Sequence, residues 1–206
     1  MCIRDRAATA SPYGLRAVNH LGGTPYAGST RMYPIASGLA QNIYYGDVVG
    51  VVAAGVIEQT RRTGAAGGTA FLAGTVGVFV GVTYTDPSSG NITFRQNWPT
   101  GTVTADAQAY VIDDPAVIFQ AQADATVAQT ALGACTFFAA AQSSTTGNLT
   151  SGNSTSAVDA TVTVAQDAFK IVGFVDSPTS TVGDAFTDLL IKFNPVAHAY
   201  TSGVGI

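Results

Sequence analysis

Asp113 and Asp114, with Asp106 close by, form the one acidic cluster in this chain. Two adjacent carboxylates on a turn have the chemistry to bind Ca²⁺, which takes six to eight oxygen ligands. A calcium loop alternates its acidic positions, whereas here a doublet runs straight into Pro115. The segment therefore reads as a turn whose Asp side chains satisfy nearby main-chain amides. His20 and His198 lie near opposite ends of the chain, with no His-x-x-x-His or Cys-x-x-Cys spacing, so no metal is expected. A Ser–His–Asp arrangement would need a nucleophile on a tight turn. No Gly-x-Ser-x-Gly elbow occurs, and both histidines read as surface residues. Glycoside chemistry needs two placed carboxyls, and Glu58 is the single glutamate. The Gly-rich run at 64–68 lacks the Gly-Lys-Ser/Thr ending of a phosphate loop. Cys135 sits in an apolar setting and reads as a small buried hydrophobe. No catalytic residue, metal site or cofactor is expected.

The rest of the composition agrees. Charged residues are 11% of 206, against about 25% in an average soluble domain. Net charge is −4, and the thin basic cluster at Arg61 and Arg62 does not suit a nucleic-acid partner. Residues 64–82 are uncharged and fairly apolar but hold six glycines and turn to alternation, so no membrane span is expected. No secretory signal is expected either, since no apolar stretch followed by a small-residue cleavage site opens the chain. The first six residues resemble translated adapter sequence from assembled environmental reads, which would make Cys2 and two arginines foreign to the native protein. Asn91, Asn148 and Asn153 match the short N-glycosylation pattern and carry no assigned function.

The elements that would position any site are strands. Residues 7–46 hold five of the eight tyrosines and read, within the segment 1–46, as an extended N-terminal arm with short strands. Tyrosine offers a large apolar area with a polar tip, so Tyr13, Tyr26, Tyr33, Tyr44 and Tyr45 are the expected partner-interface residues. A hairpin is expected from 48–52 and 56–59, turning at Gly55. A second runs from 76 to 98 through Asp86-Pro-Ser-Ser-Gly90. Strict alternation there puts Val76, Val78, Val80, Val82 and Tyr84 on one face, and Ile92, Phe94 and Trp98 on a core face of the return strand. Residues 108–112 and 116–122 read as a further strand pair, 125–132 as a short helix, and 169–175 with 187–193 as the last two strands. Residues 142–156 are Ser, Thr, Gly and Asn-rich and read as an exposed polar loop. Residues 196–206 read as a loose tail. The expected fold is all-β: one β-barrel or β-sandwich-like domain (47–195) of antiparallel hairpins with the arm.

So little charge leaves much apolar surface, which usually becomes buried in an assembly. Four segments then carry a resemblance: Tyr33 to Asp47 (YPIASGLAQNIYYGD); Val78 to Asp86 (VFVGVTYTD) with Phe94 to Pro99 (FRQNWP); Ala109 to Pro115 (AYVIDDP) leading to Phe119 to Asp124 (FQAQAD); and Val172 to Pro178 (VGFVDSP). Together they resemble structural proteins of tailed bacteriophages, many marine, taken to be head decoration (cement) proteins. The resemblance implies a virion protein made in the host bacterial cytoplasm and bound to the capsid surface. Its partners would be the major capsid protein and further copies of itself. It would act by clamping joints between shell subunits, where many weak symmetric contacts add up. Another virion subunit (tail or major shell protein), or a carbohydrate- or surface-binding β module using Trp98, are the alternative expectations.

Overall fold

The computed structural model describes residues 9–59, 74–140, 142–143, 145–163, 167–177 and 180–202. The Gly-rich run at 61–68 and the first six residues lie outside them. Eleven strands are described: β1 (Arg16–His20), β2 (Arg31–Pro34), β3 (Val48–Val51), β4 (Ile57–Gln59), β5 (Thr75–Thr85), β6 (Ile92–Arg95), β7 (Gln108–Ile112), β8 (Val117–Gln122), β9 (Cys135–Thr136), β10 (Phe169–Phe174) and β11 (Asp188–Phe193). They form two antiparallel sheets, ordered β1-β8-β11-β10-β9 and β2-β7-β5-β3-β4, with β6 also paired to β5. The architecture is an all-β sandwich, and neither sheet closes into a barrel.

The β3–β4 hairpin forms as expected, turning at Gly55 (φ +74°), where a side chain would be strained. So does β5–β6, and β10 pairs with β11. The pair expected from 108–122 does not form a hairpin. β7 belongs to the six-stranded sheet and β8 to the five-stranded one, so the Asp113–Asp114–Pro115 corner carries the chain across the sandwich. Proline cannot supply a ladder N–H, and a corner between sheets needs none there. Where a helix was expected, one short 3-10 turn (Gln129–Ala131) stands before Gly133.

Two cores result. The first lies between the sheets and is built on Phe119, Phe138, Phe169 and Phe193, whose ring centroids stand 5.1–5.5 Å apart. The second covers the other face of the six-stranded sheet, around fully buried Trp98, Phe79, Ile43 and Val111. Strand β5 serves both cores, because its register shifts twice, opposite Val49/Gly50 of β3 and between Phe79 and Gly81. A bulge adds one residue and reverses which face the following side chains meet. The single valine face expected from alternation is therefore split. Val78 and Val80 join the inter-sheet core, while Val76, Phe79, Val82 and Tyr84 join the second.

The first and last described segments are woven into the body. Expected as an arm, residues 9–46 supply an outer strand to each sheet, β1 beside β8 and β2 beside β7. Thr9 and Ser11 cover Gln122, whose amide bonds their main chain at 3.2 and 2.7 Å. That is why Gln122 is buried rather than outward-facing. The tail expected to be loose docks at 197–199. Ala197 and His198 are buried, and the Ala199 N–H donates to the Thr75 carbonyl at 2.6 Å.

Candidate functional site

The acidic corner is resolved into two separate contacts. Asp113 Oδ2 accepts the Tyr33 hydroxyl at 2.9 Å and stands 3.1 Å from Arg31 Nε. The Tyr33 hydroxyl is also 2.6 Å from that of Tyr200, over whose ring the Arg31 guanidinium lies at 5.4 Å. Burial, and then hydrogen bonds to Tyr200 and Asp113, push the Tyr33 hydroxyl well above its ordinary pKa. Asp114 turns the other way. It accepts the Ala116 N–H at 2.7 Å, the local bond expected of it, and its Oδ2 is 3.5 Å from His20 Nδ1. The neighbouring carboxyls diverge, and among the described residues no three His, Cys, Asp or Glu side chains gather to hold a metal. Asp106 caps a turn elsewhere: Thr85 and Thr104 hydrogen bonds hold its carboxyl at about 2.

His198 corrects the expectation of two surface histidines. It is fully buried, between the rings of Phe193 and Tyr200, and its Nδ1 accepts the Tyr200 N–H at 3.3 Å. Burial lowers its pKa, which keeps the ring neutral. It lies in the docked tail and belongs to packing. His20 is half-buried beside Tyr26. Cys135 is a buried free thiol.

Among the described residues the densest polar cluster lies at Asp47, which no sequence motif marks. Asp47, at the start of β3, is wholly buried. It accepts the Tyr44 N–H (2.9 Å), the Gln59 amide (2.7 Å) and the Gln142 amide (3.1 Å), with Ser154 also bonded to it. Gln142 passes the network on, accepting from the Val48 N–H at 3.2 Å and donating to Ser156 Oγ at 3.3 Å. Burial raises the Asp47 carboxyl to about 7, against the lowering effect of these bonds. This network corrects the exposed-loop expectation for 142–156. The tip around Leu149 is exposed, but Gln142, Ser154 and Ser156 are buried because Asp47 and its amides satisfy them. Gly147 lies flat on the Tyr44 ring, where a Cβ would come within 2.2 Å of a ring carbon. Gly147→Ala is expected to lower stability by about 1–3 kcal/mol, the usual cost of overpacking, measurable as a reduced urea midpoint.

The five tyrosines expected at a partner interface have internal contacts. Tyr44 and Tyr33 are buried. The hydroxyl of Tyr13 donates to Asp188 at 3.1 Å, pinning the N-terminal segment to β11, and the Arg16 guanidinium lies over its ring. Burial first, then the Asp188 charge, raises its pKa far above normal. Tyr26 donates to the Ser29 carbonyl. Tyr45 bonds through its main chain to Gly152 and Ser154, at 2.9 Å each.

The open apolar surface lies elsewhere. Ile92 is 78% exposed, Phe94 61% and Met32 59%. Cross-strand pairing puts them on one face of the six-stranded sheet, through Thr85↔Ile92, Thr83↔Phe94, Gly81↔Tyr110 and Met32↔Tyr110. Farther along that face, Ile112 and Val78 meet the five-stranded sheet, and the patch extends past its cover. The Phe94 ring lies over Gly81, where a Cβ would come within 2.6 Å of it, and 6.1 Å from the Tyr110 ring. The expectation that Trp98 shares a core face with Ile92 and Phe94 fails, because β6 ends at Arg95. Trp98 instead pairs through its main chain with Ile43 and meets Tyr84 edge-on at 5.5 Å. Buried in this way, Trp98 offers no platform to a sugar.

No family model matches the chain, and neither a curated protein nor a solved structure was found to resemble it significantly. Among the described residues no helix is long and apolar enough to cross a membrane.

Proposed function

We propose that the chain is a virion structural protein, and specifically a decoration (cement) protein of a tailed-bacteriophage head that binds across joints of the major capsid protein. One observation carries the reading. The carboxylates of Asp47, Asp113 and Asp188 face partners inside the fold, while a contiguous group of large apolar side chains faces outward. Such a surface suits protein contact. The sequence resemblance supplies the phage context. A clamp of this kind needs area and shape, and rigid sheets whose outer strands are tied down by Tyr13, Tyr33 and Tyr200 provide both.

Imaging of particles assembled with and without the chain is the test. Extra density at regular lattice points, with loss of head integrity at lower temperature when the chain is omitted, is the expected result. Density confined to a tail would assign the chain to another virion component, and association with neither would end the proposal.

A further inference from the structure

The strand that carries the exposed patch is an edge. Among the described residues β6 pairs only with β5. Natural edges are usually blunted by proline, lysine or a bulge, since an open row of N–H and C=O groups invites another strand. Residues Ile92–Arg95 contain no proline, lysine or bulge, and the one charge on this four-residue strand, Arg95, stands at its end. They instead put Ile92 and Phe94, both exposed, on the same side of the edge.

We infer that β6 is a self-pairing edge, where two copies of the chain join antiparallel about a two-fold axis through Thr93. The occupant follows from the residue order. An isologous contact must be self-complementary, and Asn91-Ile-Thr-Phe-Arg95 is symmetric in kind about its centre. Thr93 faces its own copy. Each Ile92 faces the other copy's Phe94, giving two aromatic–aliphatic cross-strand pairs. Each Arg95 faces Asn91, whose side-chain carbonyl accepts a hydrogen bond. Centring the pairing one residue later sets Ile92 against Gln96 and Phe94 against itself, and one residue earlier sets Phe94 against Gly90 and Ile92 against itself, so either shift leaves one apolar pair in place of two. The chain carries −4 overall, yet the cation on this edge, Arg95, is exposed and makes no ion pair among the described residues. It brings positive charge to the seam of an acidic molecule. The union continues one sheet across both copies and extends each Phe94–Tyr110 patch with the other's Ile92. It is a property of the free chain and holds whatever surface the protein decorates.

The test uses the full chain, sedimented over a range of concentrations. Wild type is expected to dimerise. Phe94→Arg should be monomeric with an unchanged circular dichroism spectrum, because its side chain is on the surface. Thr93→Cys in a Cys2→Ser background should give a covalent dimer on oxidation, while Ser89→Cys in that background should not. A chain that stays monomeric at every concentration overturns the inference, and protection of β6 only on a shell would then assign the edge to another protein. A dimer that survives Phe94→Arg, or that Thr93→Cys fails to capture, overturns it equally.

Discussion

Gly77→Ala is expected to be the most damaging glycine-to-alanine change among the described residues. Gly77 sits within β5 opposite Val49 of β3, and a Cβ there would fall 1.9 Å from the Ile112 carbonyl oxygen and 2.8 Å from its carbonyl carbon. Those are main-chain atoms and cannot rotate aside. Strand β5 is held by β3 on one side and β7 on the other, so separating it from Ile112 strains two ladders. The expected loss is about 3 kcal/mol or more, at the upper end for overpacking. In a chain of this size that is on the order of 10 °C in melting temperature. Gly22→Ala is the control: nothing lies within 4 Å of its added Cβ, and its stability should stay within about 0.5 kcal/mol of wild type. Equal melting temperatures for the two variants would show that β5 and β7 are not in such close contact.

The second large effect is on pH. Asp47 titrates at about 7 in the folded chain, against an ordinary 3.8, because it is buried. Between those values the folded state holds a proton that the unfolded state has released. The stabilisation is complete below about pH 4 and is lost as pH rises through about 7. It amounts to a few kcal/mol. Asp47→Asn mimics the protonated group, so the wild-type denaturation midpoint should fall between pH 5 and pH 8 while that of Asp47→Asn does not. His198 acts in the opposite sense, since its lowered pKa costs stability as pH falls. The difference between wild type and variant removes this background. Parallel pH profiles would refute the assignment. Asp47→Ala should cost about 3 kcal/mol or more at any pH, because it strands the Gln59 and Gln142 amides and the Tyr44 N–H.

These effects mark where the sequence could be read and where it could not. Alternation and turn residues located nearly every long strand, because a strand's own side chains and its Gly or Pro boundaries are local signals. The bulges in β5 escaped because an inserted residue leaves the surrounding Val–Gly pattern intact. The crossing at Asp113–Pro115 escaped because a hairpin turn and a corner between sheets use the same residues. Asp47 reads as a turn aspartate; its burial depends on Gln142, 95 residues away. His198 and the 142–156 segment were misplaced for the same reason, since polar groups are buried wherever distant partners satisfy them. Ile92 and Phe94 were assigned inward because nothing local shows that the opposing sheet stops short. The glycine at 81, beneath the Phe94 ring, is the one trace of it in the sequence.

The interleaving of the two sheets governs how the molecule must be made. In the five-stranded sheet β8 lies between β1, near the start of the chain, and β11, near its end. The six-stranded sheet takes β2 from before β3 but closes that pairing only with β7. During synthesis, the emerging polypeptide can form the short β3–β4 and β5–β6 hairpins early. Its five-stranded sheet cannot be completed until β10 and β11 have left the ribosome. Such long-range closures make for slow folding, on the millisecond-to-second scale. Until then the Ile92–Phe94 edge is presented to the crowded cell by a half-finished chain.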